Sequence, residues 1–218
     1  MAKVQAVLFD LDGTFADTAP DLGRALNRLR VEHGLEPLPI GIIRAHASSG
    51  ARGLLKAGFG STPESEGYNA LRDRFLDLYA ENLCVETRLF EGIPELLSMI
   101  EARPLPWGIV TNKAKRFTEP LLRTLAIGHR AACIVSGDST PHIKPHPAPL
   151  LRAAMLLGLA PGDCIYVGDD LRDVQAAHAA GMRFAAAGWG YLGDGVDPLT
   201  WDADAVVSHP REILDLLP

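Results

Sequence analysis

The chain has 218 residues, 47% of them hydrophobic and 22% charged, so it has enough apolar material for a real core and does not have the composition of a disordered chain. Its formal net charge of −6, with 21 basic residues scattered along the chain, argues against a partner with a nucleic-acid backbone. No run of about 18 apolar residues is available to span a bilayer, and the start, Met1-Ala2-Lys3-Val4-Gln5, lacks the apolar stretch of a signal peptide, so a cytoplasmic protein without a membrane partner is expected.

Residues 4–9 read as a first strand, closing on Val7-Leu8-Phe9. Leu22, Ala25, Leu26 and Leu29 then recur at helical spacing, with Pro20 near the first turn and Gly34 as a stop. A less regular middle runs over 40–60. After the break at 58–63, Tyr68, Leu71, Phe75, Leu78, Tyr79 and Leu83 mark a second long amphipathic helix. Residues 15–87 are therefore expected to be entirely helical.

From about residue 88 the texture changes to short β-rich runs alternating with helical stretches: 107–111 then 115–125, 133–136 then 149–157, 164–167 then 171–180 closed by Gly181. Two further runs, 183–187 and 205–207, precede a terminal helix. This rhythm predicts an α/β fold, a doubly wound, mostly parallel Rossmann-like sheet of five core strands. The first strand then belongs to the later domain. The expected division is a core of 1–14 and 88–218 with a helical cap, 15–87, inserted after the first strand.

Cys84, Cys133 and Cys164 are widely spaced and show no CxxC or Cys/His metal pattern, so they read as reduced core thiols. The seven histidines show no HExxH or paired spacing, and His142, His146 and His178 read as loop or helix-surface residues.

Ligands of an open α/β sheet bind at the carboxyl ends of its strands, so the residues that close each strand carry the functional information. The first ends on Asp10 and Asp12, two residues apart, followed by Gly13 and Thr14. The next ends on Thr111-Asn112, another leads after a loop to Lys144, and a fourth ends on Gly168-Asp169-Asp170 with Asp173 one helical turn later. Buried carboxylates cost free energy unless paired or metal-bound. Several acidic oxygens beside a lysine and a hydroxyl form a poor site for a neutral ligand and a good one for Mg²⁺ together with a phosphate.

In order and spacing, "DLDGT", "TN", "KP" and "GDDLRD" resemble the four signature motifs of the haloacid dehalogenase-like phosphatase superfamily. The resemblance covers the whole chain, and the helical insertion resembles that superfamily's cap. It implies Mg²⁺-dependent hydrolysis of a small phosphorylated metabolite, with Asp10 as the nucleophile that becomes an aspartyl phosphate. Asp12 would be the general acid and base, and Lys144 would supply electrostatic support. The implied metal shell is Asp10, the backbone carbonyl of Asp12, and Asp169, with Asp173 acting through water and Asp170 beside it. Gly13, Thr14, Thr111, Asn112 and Lys144 are the implied phosphate-binding groups. Within the superfamily, "KPHPAPL", "YVGDDLRDVQAAHAAGM" and "GWGYLG" are similar to phosphoglycolate phosphatases, and "SSGAR", "WGIVTNK" and "RFTEP" to N-acetylmuramic acid 6-phosphate phosphatases. Both substrates carry a carboxylate, which would suit Arg52 or Lys56 in the cap. Phe15-Ala16 departs from the leucine and aliphatic pair usual there, and bears on the hinge and substrate choice rather than the chemistry.

Plainer readings compete for the same residues. Asp169 or Asp170 suits the cap of the helix that follows, Thr111-Asn112 the cap of another, and Lys144-Pro145-His146-Pro147 a rigid surface turn. Asp17 and Asp21 suit the N-terminus of the first cap helix, and Arg52 and Lys56 a solvated helix face. Residues 188–193 match GxGxxG, but no helix is expected at 194–198 to receive a pyrophosphate, so this segment reads as a loop at the rim of the site. A sugar phosphomutase would share the nucleophile and the acid/base pair. A receiver-like phosphorylatable module or a non-catalytic binding protein would use the acids differently. Whether the chain is a monomer or a homodimer is not legible.

Overall fold

The computed structural model of the protein describes residues 3–193 and 197–218. Strand β1, Ala6–Phe9, lies at the centre of a six-stranded sheet and is buried along its whole length. A strand covered on both faces must be apolar throughout, which is why AVLF carries no alternation. Its neighbours are β4, Trp107–Val110, and β6, Cys164–Gly168, both parallel to it. Beyond them lie β5, Cys133–Val135, on one side, and β7, Arg183–Ala187, then β8, Ala205–Val207, on the other. The order is β5-β4-β1-β6-β7-β8, with every pairing parallel. All six β-rich runs of the sequence are strands of this sheet, one more than the five counted as its core.

The sheet's two faces carry separate cores. Val7 and Phe9 face a cluster with Phe15, Trp107 and Ile109, where the Phe15 and Trp107 rings stack at 5.5 Å. Ala6 and Leu8 face the other, with Tyr166, Phe184 and Leu150. The crossover helices that cover these faces are α5, Ile93–Glu101, α6, Lys115–Thr124, α7, Ala148–Leu157, and α8, Leu171–Ala180. The expected terminal helix is a 3-10 turn, Pro210–Leu216, with Pro210 at its start.

Between β1 and the rest of the sheet stand four helices: α1, Ala19–Glu32, α2, Ile40–Ala47, α3, Gly50–Phe59, and α4, Tyr68–Glu81. The less regular middle thus consists of two short helices. Its buried apolar side chains are few, Ile43 and Ala47 on α2 and Leu54 and Leu55 on α3, so neither short helix builds the long periodic stripe of α1. Leu22, Leu26, Leu29, Ile43, Phe75 and Tyr79 form a third cluster, joined from the sheet side by Phe117 and Tyr191.

The segment 15–87 is not wholly helical. Ala16–Asp17, β2, pairs antiparallel with Arg88–Leu89, β3, so the chain leaves and returns through a two-stranded ribbon. Asp21 stands in the first turn of α1, as expected of an acid at a helix N-terminus, whereas Asp17 lies on β2, before the helix, and among the described residues no side chain caps α1 by a hydrogen bond. Arg44 donates to both oxygens of Asp17, at 2.9 and 2.8 Å. Asp21 accepts from the amides of Val85, Glu86 and Thr87 and from the Thr87 hydroxyl at 2.7 Å, which fastens α1 to the returning chain.

All three cysteines are free thiols; burial pushes Cys133 up to about 12 and Cys164 to about 11, so both are inert at neutral pH. Among the described residues, no helix is long and apolar enough to cross a membrane.

Candidate active site

The carboxyl ends of β1, β4 and β6 meet at one point. Asp10 follows β1 directly, its N–H donating to the Val167 carbonyl of β6 at 2.9 Å. Asp169 follows β6, and Asp173 is one turn into α8; both are buried. One oxygen each of Asp10, Asp169 and Asp173 lies within 4.8 Å of the others.

Lys144 reaches this cluster from the loop before α7. Its ammonium lies 2.8 Å from Asp10 Oδ1 and 2.8 Å from Asp173 Oδ1, and donates to Tyr166 Oη at 2.6 Å and the Val110 carbonyl at 3.2 Å. Burial disfavours the charge of Lys144, but Asp10 and Asp173 outweigh it and hold its pKa above the ordinary value. Asn112 fixes the lysine's backbone, accepting from its N–H at 2.9 Å and donating to its carbonyl at 3.0 Å. The Asn112 carboxamide, expected at the phosphate, is thus directed to the Lys144 loop.

Asp169 is clasped through both of its oxygens. Its Oδ1 accepts from the Thr14 hydroxyl at 2.8 Å, and its Oδ2 from the Tyr191 amide and the Ser48 hydroxyl, each at 2.9 Å. Thr14, expected at the phosphate, therefore orients Asp169. Gly13, likewise expected to offer its amide, donates it to the Ala16 carbonyl at 3.1 Å. Its need for glycine is steric: φ is +85°, and a Cβ would stand 2.2 Å from Asp169 Oδ2.

Asp12 turns away from the carboxylate cluster. Its Oδ1 accepts from the Thr18 hydroxyl and pairs with Lys113 Nζ at 3.0 Å. Burial opposes the charge of Lys113, but Asp12 and Tyr79 keep its pKa above the usual lysine value. The ammonium stands 4.8 Å from the ring of Tyr79 on α4, whose hydroxyl burial pushes up to about 12. Thr111 is buried, its hydroxyl accepting from the Lys113 amide at 3.2 Å.

Asp170 caps α8: its side chain accepts from the Arg172 amide, and Asp173 completes a reciprocal capping box. Arg172 also grips both Asp170 oxygens and donates to the Ser48 carbonyl at 2.9 Å, bridging α8 to the turn between α2 and α3. Arg52 and Lys56, expected near a substrate carboxylate, are exposed on α3. The glycine-rich run does form a rim to the site: Trp189 donates to the Thr14 carbonyl at 2.9 Å, and Tyr191 Oη accepts from the Thr18 and Ala19 amides at 2.8 Å. The expected absence of a helix after it falls partly on 194–196, outside the described residues.

Lys113, Tyr166, Ser48, Tyr191 and Arg172 escaped the sequence reading. Lys113 stands directly after Thr111-Asn112, and Arg172, Ser48, Tyr191 and Tyr166 lie within the quoted stretches GDDLRD, SSGAR, GWGYLG and YVGDDLRDVQAAHAAGM. The local signal was there, but no spacing told which side chain of each stretch turns to the site.

The electrostatics call for a cation. Burial, with repulsion from Asp10 and Asp173, raises Asp169 to about 8. Burial also raises Asp10 to about 7, against the pull of Lys144. Asp10 Oδ1 is buried, with the Lys144 ammonium at 2.8 Å as its polar contact among the described residues. One ammonium among three carboxylates leaves negative charge uncompensated, and hard oxygen donors so grouped fit Mg²⁺. The side chains that gather are Asp10, Asp169 and Asp173, so Asp173 stands with the group itself rather than behind it.

A profile described as haloacid dehalogenase-like hydrolase matches residues 7–187. The chain belongs to the haloacid dehalogenase-like hydrolase family. Its relatives within that family are named phosphatases. It is 43% identical over 215 residues to the N-acetylmuramic acid 6-phosphate phosphatase of Pseudomonas aeruginosa, covering 99% of this chain and 95% of that one. It is 42% identical over 210 residues to the phosphoglycolate phosphatase of Xanthomonas campestris pv. campestris, covering 96% and 94%. A crystal structure of a "predicted phosphoglycolate phosphatase" from Haemophilus somnus superposes with a TM-score of 0.87 at 27% identity, covering 99% of each chain.

Proposed function

We propose that the protein is a Mg²⁺-dependent phosphomonoesterase acting on a small phosphorylated metabolite, either 2-phosphoglycolate or N-acetylmuramate 6-phosphate. The single observation that carries this reading is the meeting of Asp10, Asp169, Asp173 and Lys144 at the strand ends, supported by relatives named for these two activities.

In this reading Asp10 attacks the phosphorus in line with the ester oxygen, forming an aspartyl phosphate and needing no base because a carboxylate is already a competent nucleophile when ionised. Asp12 gives a proton to the departing alkoxide and afterwards takes one from the water that hydrolyses the acyl phosphate. Lys144 neutralises charge between nucleophile and phosphoryl oxygens, and the Thr111 hydroxyl donates to one of those oxygens. Asp10, Asp169 and Asp173, with the Asp12 carbonyl, would hold Mg²⁺, which when bound supplies the charge that lets one anion approach another. Thr14, Tyr191 and Ser48 fix the rotamer of Asp169. Residues 15–87 serve as a cap that excludes water from the aspartyl phosphate. Free thiols at all three cysteines suit the reducing cytoplasm.

The test is a phosphate-release assay over phosphorylated metabolites including these two, with Mg²⁺ and with EDTA. Metal-dependent release from one of them is the expected result. Isomerised sugar phosphate without net release would make the protein a mutase.

A further inference from the structure

Lys113 is a buried cation for which the proposed chemistry has no use. Its side chain is 8% exposed and has one carboxylate partner, Asp12 at 3.0 Å. That carboxylate is also the group placed, in the reading above, at the ester oxygen of the substrate. In that reading the ammonium, in contact with Asp12, stands beside the leaving group.

A second polar group lies against it. Tyr79 comes from α4, its ring 4.8 Å from Lys113 Nζ; its buried hydroxyl has Lys113 as its polar neighbour, which can only donate, so the phenol's own proton meets no acceptor among the described residues. A buried phenol that donates to nothing loses the hydrogen bond it makes in water, a cost that an arriving acceptor would remove. The charged groups acting on this point are Asp12 and Lys113, with Asp21 a weaker contributor already held by Thr87 and Arg24, and the Thr18 hydroxyl is committed to Asp12. An ammonium and a hydroxyl donor, adjacent and short of acceptors, together match one carboxylate.

We propose that Lys113, with the Tyr79 hydroxyl, is the specificity-determining pair that receives a substrate carboxylate borne on the carbon next to the ester oxygen. This rests on the phosphatase reading and deepens it by naming the substrate class as short 2-phosphohydroxy acids. In 2-phosphoglycolate a single methylene separates ester oxygen and carboxylate, so a cation in contact with Asp12 is within reach of both. In N-acetylmuramate 6-phosphate the lactyl carboxylate hangs from O3, with the sugar ring between it and the phosphate at C6. A cation at Asp12 does not reach it. Lys113 thus takes the part that sequence reasoning gave to Arg52 or Lys56.

The test compares kcat/KM for 2-phosphoglycolate and for 2-hydroxyethyl phosphate, which replaces the carboxylate by a neutral alcohol. The wild-type protein is expected to prefer the acid by about 100-fold, the usual scale for a buried charge pair. Lys113→Met is expected to bring that ratio to within about threefold, mostly through KM for the acid, whatever it does to both substrates through Asp12. An unchanged ratio in that variant would show that Lys113 acts only on Asp12 and would overturn the inference. Tyr79→Phe, which keeps the ring against Lys113, is expected to lower the ratio by about fivefold and decides the matter if Lys113→Met does not fold. Hydrolysis without carboxylate preference in the wild type, or faster hydrolysis of N-acetylmuramate 6-phosphate, overturns the inference alone. Absence of phosphate release from every ester overturns the phosphatase reading as well.

Discussion

The strand-end side of the site and its helical side are built on different principles. At the strand ends, Asp10, Asp169, Asp173 and Lys144 are buried, fixed by backbone register and by hydrogen bonds from residues of the same sheet, as when Asn112 holds the Lys144 loop. On the helical side, single side chains reach in from separate segments: Thr18 from the ribbon's exit, Ser48 from the turn before α3, Tyr79 from α4. The first side is rigid because parallel pairing leaves its strand ends no alternative register. The second depends on how the insertion sits over the sheet, so it is where the proposed reading places the choice of substrate.

The sharpest way to break this contrast is to disable the strand-end side without disturbing the fold. Asp10→Asn removes the nucleophile's charge and keeps its shape, and phosphate release is expected to fall by about 10⁴-fold or more. The thermal unfolding midpoint should stay at or above that of the wild type, because one of the mutually repelling carboxylates is gone. Unchanged turnover would remove Asp10 from the chemistry.

Asp12 stands on the boundary between the two sides, and Asp12→Ala should lower kcat by about 10³-fold with a smaller change in KM, since proton transfer matters only during reaction. A change confined to KM would move Asp12 wholly to the substrate-reading side. Asp169→Asn should raise the Mg²⁺ concentration for half-maximal activity by about 100-fold, read from a metal titration of phosphate release. A titration curve identical to wild type would mean that the three grouped carboxylates are not the metal's seat.

The same contrast explains what was legible in the sequence. Asp10, Lys144 and Asp169 could be named together from the sequence because a sheet places strand ends together, so order and spacing along the chain become proximity in space. The strands themselves were marked by short buried apolar runs, and β4 to β7 fall within a residue or two of where those runs lie. What failed was what depends on packing. Gly13 and Thr14 carried a phosphate assignment, yet their amide and hydroxyl are taken by Ala16 and Asp169, a choice fixed by the third dimension alone. Arg52 and Lys56 carried two readings, a substrate carboxylate and a solvated helix face, and their exposure on α3 agrees with the second. Lys113 was not weighed, because its pairing with Asp12 depends on where the chain after β4 lies against β1.

The smallest effect on turnover, and the strictest test of the division, is expected at Asp21. This acid belongs to the insertion's attachment and not to the site: it gathers three backbone amides from 85–87, the Thr87 hydroxyl and the Arg24 guanidinium. Burial pushes its pKa up, but the Thr87 hydroxyl and the amides outweigh that and hold it below the ordinary carboxylate value of 3.8. A group whose folded pKa is depressed stabilises the fold above its unfolded pKa, and that contribution disappears as pH falls through the folded value. Asp21→Asn should therefore cost about 2 kcal/mol at neutral pH, measured by urea unfolding, while kcat/KM of the folded enzyme stays within about threefold. The stability difference between variant and wild type should shrink as pH is lowered through the acid range. If kcat/KM instead fell as steeply as stability, the attachment of α1 would be part of the catalytic geometry, and the helical side would have to be counted as preorganised to the same degree as the strand ends.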